Sequence, residues 1–183
     1  HRDTWAAAHD AATGTSAQTA DTTLNAYGSG DGTYKYRVCR VFFYYNLSAL
    51  SGTASSVTEN LYGDTNYLSS ISSQKGTQNA SLASSDLDSF SGSEYGHLTW
   101  AINQYNAITY NAQGCSDVTA AFGSTFKTCC REYAHDYLNS SPGANPYVNS
   151  MRSSDYASTT YDPYLYVTIA AAAGNPYYYY LNQ

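Results

Sequence analysis

Tyr34-Lys35-Tyr36-Arg37-Val38-Cys39-Arg40-Val41-Phe42-Phe43-Tyr44-Tyr45 is the strongest extended run in the 183-residue chain. Val41, Phe43 and Tyr45 alternate with Arg40, Phe42 and Tyr44, so aromatic rings fall on both faces of one strand. A strand that is apolar on both sides reads as central, with one face in the core and the other covered or used for contact. Just upstream, Tyr27-Gly28-Ser29-Gly30-Asp31-Gly32-Thr33 reads as a hairpin turn, its glycines supplying the positive φ angles of tight turns.

Working outward, further extended runs are separated by Gly, Ser, Asn and Asp clusters. Residues 107–111 predict a strand with Ile108 and Tyr110 inward, and residues 124–133 predict another. Residues 164–169 alternate cleanly, with Leu165, Val167 and Ile169 inward after a tolerated Pro163. Residues 69–96 read as one strand and then a long surface excursion, residues 97–104 as a short helix or irregular turn, and 117–123 as a helical turn. The chain holds 21 Tyr, and its polar residues are mainly Ser, Thr, Asn and Gln. Ser, Thr and Asn compete with helical hydrogen bonds, whereas Tyr and Thr suit half-buried pleated surfaces. The expected fold is all-β: a single jelly-roll-like antiparallel β-sandwich with long Ser/Asp/Gly-rich loops over residues 1–169. A C-terminal extension, 170–183, follows.

Eight Lys and Arg against 14 Asp and Glu give a formal net charge of −6. That balance argues against nucleic acid, which requires clustered cations, and against electrostatic membrane-surface binding. No apolar run approaches the ~18 residues of a membrane span. The chain opens at His1 rather than Met, which fits either removal of a leader or an excised chain.

Several residue groups could carry chemistry. Strand parity turns Lys127, Cys129 and Arg131 outward and Phe126, Thr128 and Cys130 inward; Cys39 falls inward with Val41, so a Cys39–Cys130 disulfide is the preferred pairing. Parity also buries Glu59 with Val57 and Leu61, which is costly for a carboxylate without a partner. Asp86 and Asp88 are the candidate ligands of a structural calcium, and Gly30-Asp31-Gly32 offers a further carboxylate. His1 with His97 or His135 could hold copper. His9-Asp10 and His135-Asp136 are sequence neighbours that do not form a ready dyad, and no GxSxG nucleophile pattern occurs. Asn46, Asn79 and Asn139 each begin an Asn-x-Ser pattern. Trp5, Trp100, Tyr164 and Tyr166 are the candidate contacts for a glycan or a protein partner. The tyrosine-rich tail could add a strand to a neighbouring subunit.

The stretch Cys39-Arg40-Val41-Phe42-Phe43-Tyr44-Tyr45-Asn46-Leu47-Ser48-Ala49-Leu50 resembles the signature of DNRLRE-type domains. Arg131-Glu132-Tyr133 with His135-Asp136-Tyr137-Leu138-Asn139 is similar to segments of the same domains, as is the run from Ser153-Ser154-Asp155-Tyr156 to Asp162-Pro163-Tyr164-Leu165-Tyr166-Val167-Thr168. Asn46 stands where that pattern has Asp, Ser51 where it has Pro, and Glu59 where it has an apolar residue. The resemblance implies a jelly-roll-like domain of secreted bacterial, archaeal or phage proteins, non-catalytic and in some members polysaccharide-binding.

These readings converge on a non-catalytic extracellular or virion-surface module, structural or adhesive, that self-assembles as a filament subunit or particle decoration and needs no cofactor. Carbohydrate binding through exposed Trp and Tyr is the alternative, and a polysaccharide-active enzyme the remote one.

Overall fold

A computed structural model of the chain describes residues 2–30, 35–66, 69–170 and 177–182. A short helix, α1 (Trp5–His9), precedes strands β1 (Thr23–Gly30), β2 (Tyr36–Cys39), β3 (Val41–Asn46), β4 (Ala54–Asn66) and β5 (Ser70–Gly76). Strands β6 (Phe90–Thr99) and β7 (Tyr105–Thr109) lead to helix α2 (Ala112–Ala120). Strand β8 (Thr125–Glu132) runs into a π-helical turn (Tyr133–Tyr137), and β9 (Val148–Arg152), β10 (Tyr164–Ile169) and β11 (Tyr177–Asn182) follow. The larger sheet has the order β11-β10-β4-β9-β1-β2, with β7 also on β4; the smaller has the order β3-β8-β5-β6. Strand β4 serves two sets of partners because it is long. Thr58 to Tyr62 meets β7, and Gly63 to Asn66 meets β9 with a register shift between Gly63 and Thr65.

One core lies between the sheets. Val57, Leu61, Ile108, Met151 and Leu165 from the larger sheet meet Phe43, Tyr45, Ile71 and Phe126 from the smaller. The inward residues of β7 and β10 are those expected from alternation, and Tyr110 joins them.

The fold is a mixed α/β arrangement, which corrects the all-β jelly-roll β-sandwich reading. Helix α2 is part of the core, with Val118 fully buried. Its sequence, Ala-Gln-Gly-Cys-Ser-Asp-Val-Thr-Ala, is rich in weak helix formers. Local contacts hold it instead. Asn111 Oδ1 caps the helix by accepting from the Gly114 amide at 3.0 Å, and the Thr119 hydroxyl donates back to the Cys115 carbonyl at 2.9 Å. A Cβ on Gly114 would lie 2.9 Å from Tyr110 Cβ, so glycine is what lets the helix sit against the aromatic core.

The aromatic run that dominates the sequence is two strands. The chain leaves the larger sheet after Cys39 and enters the smaller one at Val41, with Arg40 at the crossing. Cys39 therefore pairs in register with Tyr27, whereas Cys130 lies opposite Val41. The expected Cys39–Cys130 disulfide is not formed, and all four cysteines are free. The hairpin tip at 31–34 lies outside the described residues.

Beyond its core face, the smaller sheet is covered on its other side as well. Cys129 and Arg131, expected outward, are buried. Asp136, fully buried on the π-helical turn, accepts from Arg40 Nε at 3.1 and 3.0 Å, from Arg40 Nη2 at 2.7 Å and from Arg131 Nη2 at 3.0 Å. Both guanidiniums also face the Phe90 ring, 4.7 and 4.3 Å from its centroid. His9 Nε2 donates to the Asp136 carbonyl at 2.7 Å, which ties α1 to the same knot. Gly28 allows the close approach: a Cβ there would meet His135 Cβ at 2.9 Å and the Trp5 ring at 3.0 Å. Glu132 organises the turn by accepting from the Ala134 and His135 amides at 3.1 and 2.6 Å.

Burial alone would raise the Asp136 carboxyl, yet Arg40 and Arg131 hold it below its ordinary value. Replacing one member of a buried ion cluster leaves the others without compensation. Asp136→Ala is expected to cost about 3–5 kcal/mol in urea unfolding. A loss of under about 0.5 kcal/mol, as at an ordinary surface position, would contradict this assignment.

Candidate binding surfaces

The four aromatic candidates separate by burial. Trp5 packs against His9 and Tyr36, and its Nε1 donates to Asn139 Oδ1 at 2.9 Å. Trp100 is 2% exposed in the core, with Nε1 donating to the Ser150 carbonyl at 3.2 Å. Neither tryptophan offers a face to a ligand, because both rings are used in packing. Tyr164 and Tyr166 are half-buried on β10, opposite Asn60 and Thr58 of β4.

Tyr164 belongs to a larger aromatic nest. Its ring meets Tyr105 edge-on at 5.2 Å, Tyr105 meets Tyr62 edge-on at 5.5 Å, and Tyr62 tilts against Tyr161 at 4.4 Å. The Arg152 guanidinium lies 3.9 Å from the Tyr156 centroid and 4.2 Å from that of Tyr161, and Arg152 Nε reaches Asp64 at 3.3 Å. Steep interplanar angles and a resident cation make this a packed knot rather than a flat stacking platform. It fixes the segment that follows β9.

The carboxylates expected to bind calcium are committed to protein donors. Asp86 accepts from the Asn79 amide at 3.1 Å, Asn79 Nδ2 at 2.9 Å, the Ala83 amide at 2.8 Å and the Ser89 hydroxyl at 3.2 Å. Four converging N–H and O–H dipoles suit an anion and oppose a cation. Asp88 pairs with Arg40 at 3.3 Å. Gly30-Asp31-Gly32 and His1 include residues outside those described. His97 bonds Glu94 at 2.9 Å, and His135 Nδ1 donates to the Ser140 carbonyl at 2.6 Å. Among the described residues no group of three His, Cys, Asp or Glu could hold a metal ion.

Glu59 is fully buried in β4, as parity required, and its partners are hydroxyls rather than an arginine. Tyr45 and Thr128 donate to Oε1 at 2.9 and 2.8 Å, and Cys130 Sγ lies 3.9 Å from Oε2. Burial raises the Glu59 carboxyl, and hydrogen bonds from Ser73, Thr128, Tyr45 and Tyr110 recover only part of that rise.

Two surfaces are candidates for contact with a ligand or a second copy. One is a cleft of about 540 Å³ along residues 38–44, bounded by residues 14–19, residues 80–84 and residues 153–155. The Gly14 amide donates to the Ser84 carbonyl at 2.7 Å, joining two of these walls. The Ser153 hydroxyl donates to the Asp21 carbonyl at 2.6 Å, so the Arg152 nest sets the third wall in place. The other surface is the outer edge of the larger sheet. Strand β2 ends it on one side, four residues long, carrying Arg37 and bridged at Tyr36 by Arg2. Strand β11 ends it on the other, paired from Tyr177 opposite Ile169 to Asn182 opposite Tyr164.

The chain matches none of the protein-family models searched and has no significant match among curated proteins. No helix among the described residues is long and apolar enough to cross a membrane.

Glu59 sets a pH dependence of known sign. The folded chain holds this proton to higher pH than the unfolded chain, whose carboxyl has its ordinary value of 4.5. Stability is therefore full below that value, falls as pH rises through the folded pKa, and levels off above it. Glu59→Gln is expected to raise the thermal midpoint at pH 8 and to flatten its slope between pH 4.5 and 8. An unchanged slope would contradict the assignment.

Proposed function

We propose that this chain is a non-catalytic structural or adhesive module of an extracellular or virion surface, and that copies join through the outer edge of β11. The two ends of the larger sheet differ physically. Edge strands present unsatisfied N–H and C=O groups and are usually blunted by charge, proline, shortness or a covering segment. Strand β2 has three of these protections: it is short, carries Arg37 and is bridged by residue Arg2. Strand β11, Tyr-Tyr-Tyr-Tyr-Leu-Asn, has neither charge nor proline over six residues and ends its sheet. That uncharged terminal strand is the observation that carries the reading.

The tail pairs with β10 of its own chain and so extends the sheet that a second copy would continue. This replaces an extension laid across a neighbour with one that presents a new edge. Uncharged Ser-, Thr- and Tyr-rich surfaces also suit lateral contact between like chains, since a small charge density lowers mutual repulsion.

Light scattering with size-exclusion chromatography tests the proposal on the full chain across a hundredfold concentration range. Growth in mass with concentration is expected. Tyr178→Lys combined with Tyr180→Lys is expected to shift the chain to monomer while leaving its circular dichroism unchanged. A monomer at every concentration, or assembly indifferent to these lysines, would overturn it.

A further inference from the structure

We infer that the cleft between residues 14–19 and β3 is a binding site for a neutral oligosaccharide, independent of any assembly through β11. Its volume, about 540 Å³, falls within the usual range of small-ligand sites. Three half-buried rings line it, Tyr27, Phe42 and Tyr44. The negative face of such a ring attracts the weakly positive C–H face of a pyranose. Hydroxyl and amide residues also line the cleft, among them Thr15, Ser16, Gln18 and Ser81, all exposed. These groups both donate and accept, which matches a ligand covered in hydroxyls.

The charges of the lining decide between neutral and anionic sugars. Arg40 is the lining's cation, but its side chain is fully buried and its donors are taken. Nε serves Asp136, Nη1 serves the Leu87 carbonyl and Asp88, and Nη2 serves Asp136 and the His9 carbonyl. No guanidinium hydrogen is left for a uronate or sulfate. Asp21 and Asp155, which also line the cleft, would repel either. Two further cations stand near these rings, each bonded to a protein partner. Arg37 bonds the Tyr27 side chain, and Lys127 Nζ donates to the Gln78 carbonyl at 2.6 Å while lying 5.9 Å from the Tyr44 centroid. A ligand without charge meets none of these penalties.

The walls are suited to this task. Residues 15–20 are all exposed and lie between two anchors, the Gly14–Ser84 bond and the Ser153–Thr22 backbone bond at 3.2 Å. The strap is therefore held at its ends and accessible along its length, so an oligosaccharide can extend beyond the ring-lined floor.

The experiment is isothermal titration of the full chain with neutral cello-, xylo-, manno- and malto-oligosaccharides, with oligogalacturonate as the anionic probe. At least one neutral series is expected to bind. Tyr44→Ala is expected to weaken it about tenfold, the value of one lost ring contact. Ser81→Trp, which fills the cleft from an exposed wall position, is expected to abolish it. Thermal midpoints of both variants within a few degrees of the parent chain separate lost binding from lost folding. Blank titrations with all four neutral series would overturn the inference, as would binding that both variants leave intact. Equal or tighter binding of oligogalacturonate would overturn it too.

Discussion

Arg40 meets Arg131 and Asp136, about ninety residues further along the chain, in a buried cluster, and much of the architecture depends on that meeting. Arg40 stands at the crossing between the sheets, Arg131 near the end of β8, and Asp136 on the π-helical turn beyond it. Two guanidiniums on one carboxylate satisfy its lone pairs and offset the large cost of burying charge. Because His9 and Phe90 join the same cluster, the knot also draws α1 and the start of β6 onto the smaller sheet. The result is a four-stranded sheet covered on both faces.

Glu59 and Asp136 show how one functional group takes two opposite characters in one fold. Asp136 is surrounded by permanent cations and favours its charged form despite burial. Glu59 faces hydroxyls and a thiol, and burial favours its neutral form. Hydroxyls can donate to a carboxylate or accept from a carboxylic acid, so the core remains hydrogen-bonded in either state. Both carboxyls are consumed by structure. The candidate surfaces lie at the periphery, in a cleft lined by rings and hydroxyls and along an uncharged terminal strand.

Much of this was legible in the residues, and the failures have physical causes. Alternation marked Ile108, Leu165, Val167 and the burial of Glu59 correctly, because a half-buried strand leaves a period-two trace. The same alternation could not show the break at Arg40, since both strands remain extended while the sheet changes. Helix α2 is legible only as a helical turn over 117–123, because its propensity is poor and its first turns are held by Asn111 and the burial of Val118. Trp5 and Trp100 looked like exposed platforms, but large rings in a chain with few Leu and Ile are needed for its core. Arg131, Glu132 and Asp136 stood out as a motif. Their chemistry was hidden because the partner, Arg40, lies 96 residues from Asp136.

The account is tested most directly by hydrogen exchange at the Arg40 side chain. Guanidinium Nε–H protons of exposed arginines are lost to solvent rapidly, whereas a buried one bonded to a carboxylate exchanges only when the structure opens. In nitrogen-15 spectra of the full chain transferred to D₂O, the Arg40 Nε–H signal should persist alongside the amides of β3 and β8. Disappearance of that signal while those amides stay protected would show the cluster open to water and would contradict the account.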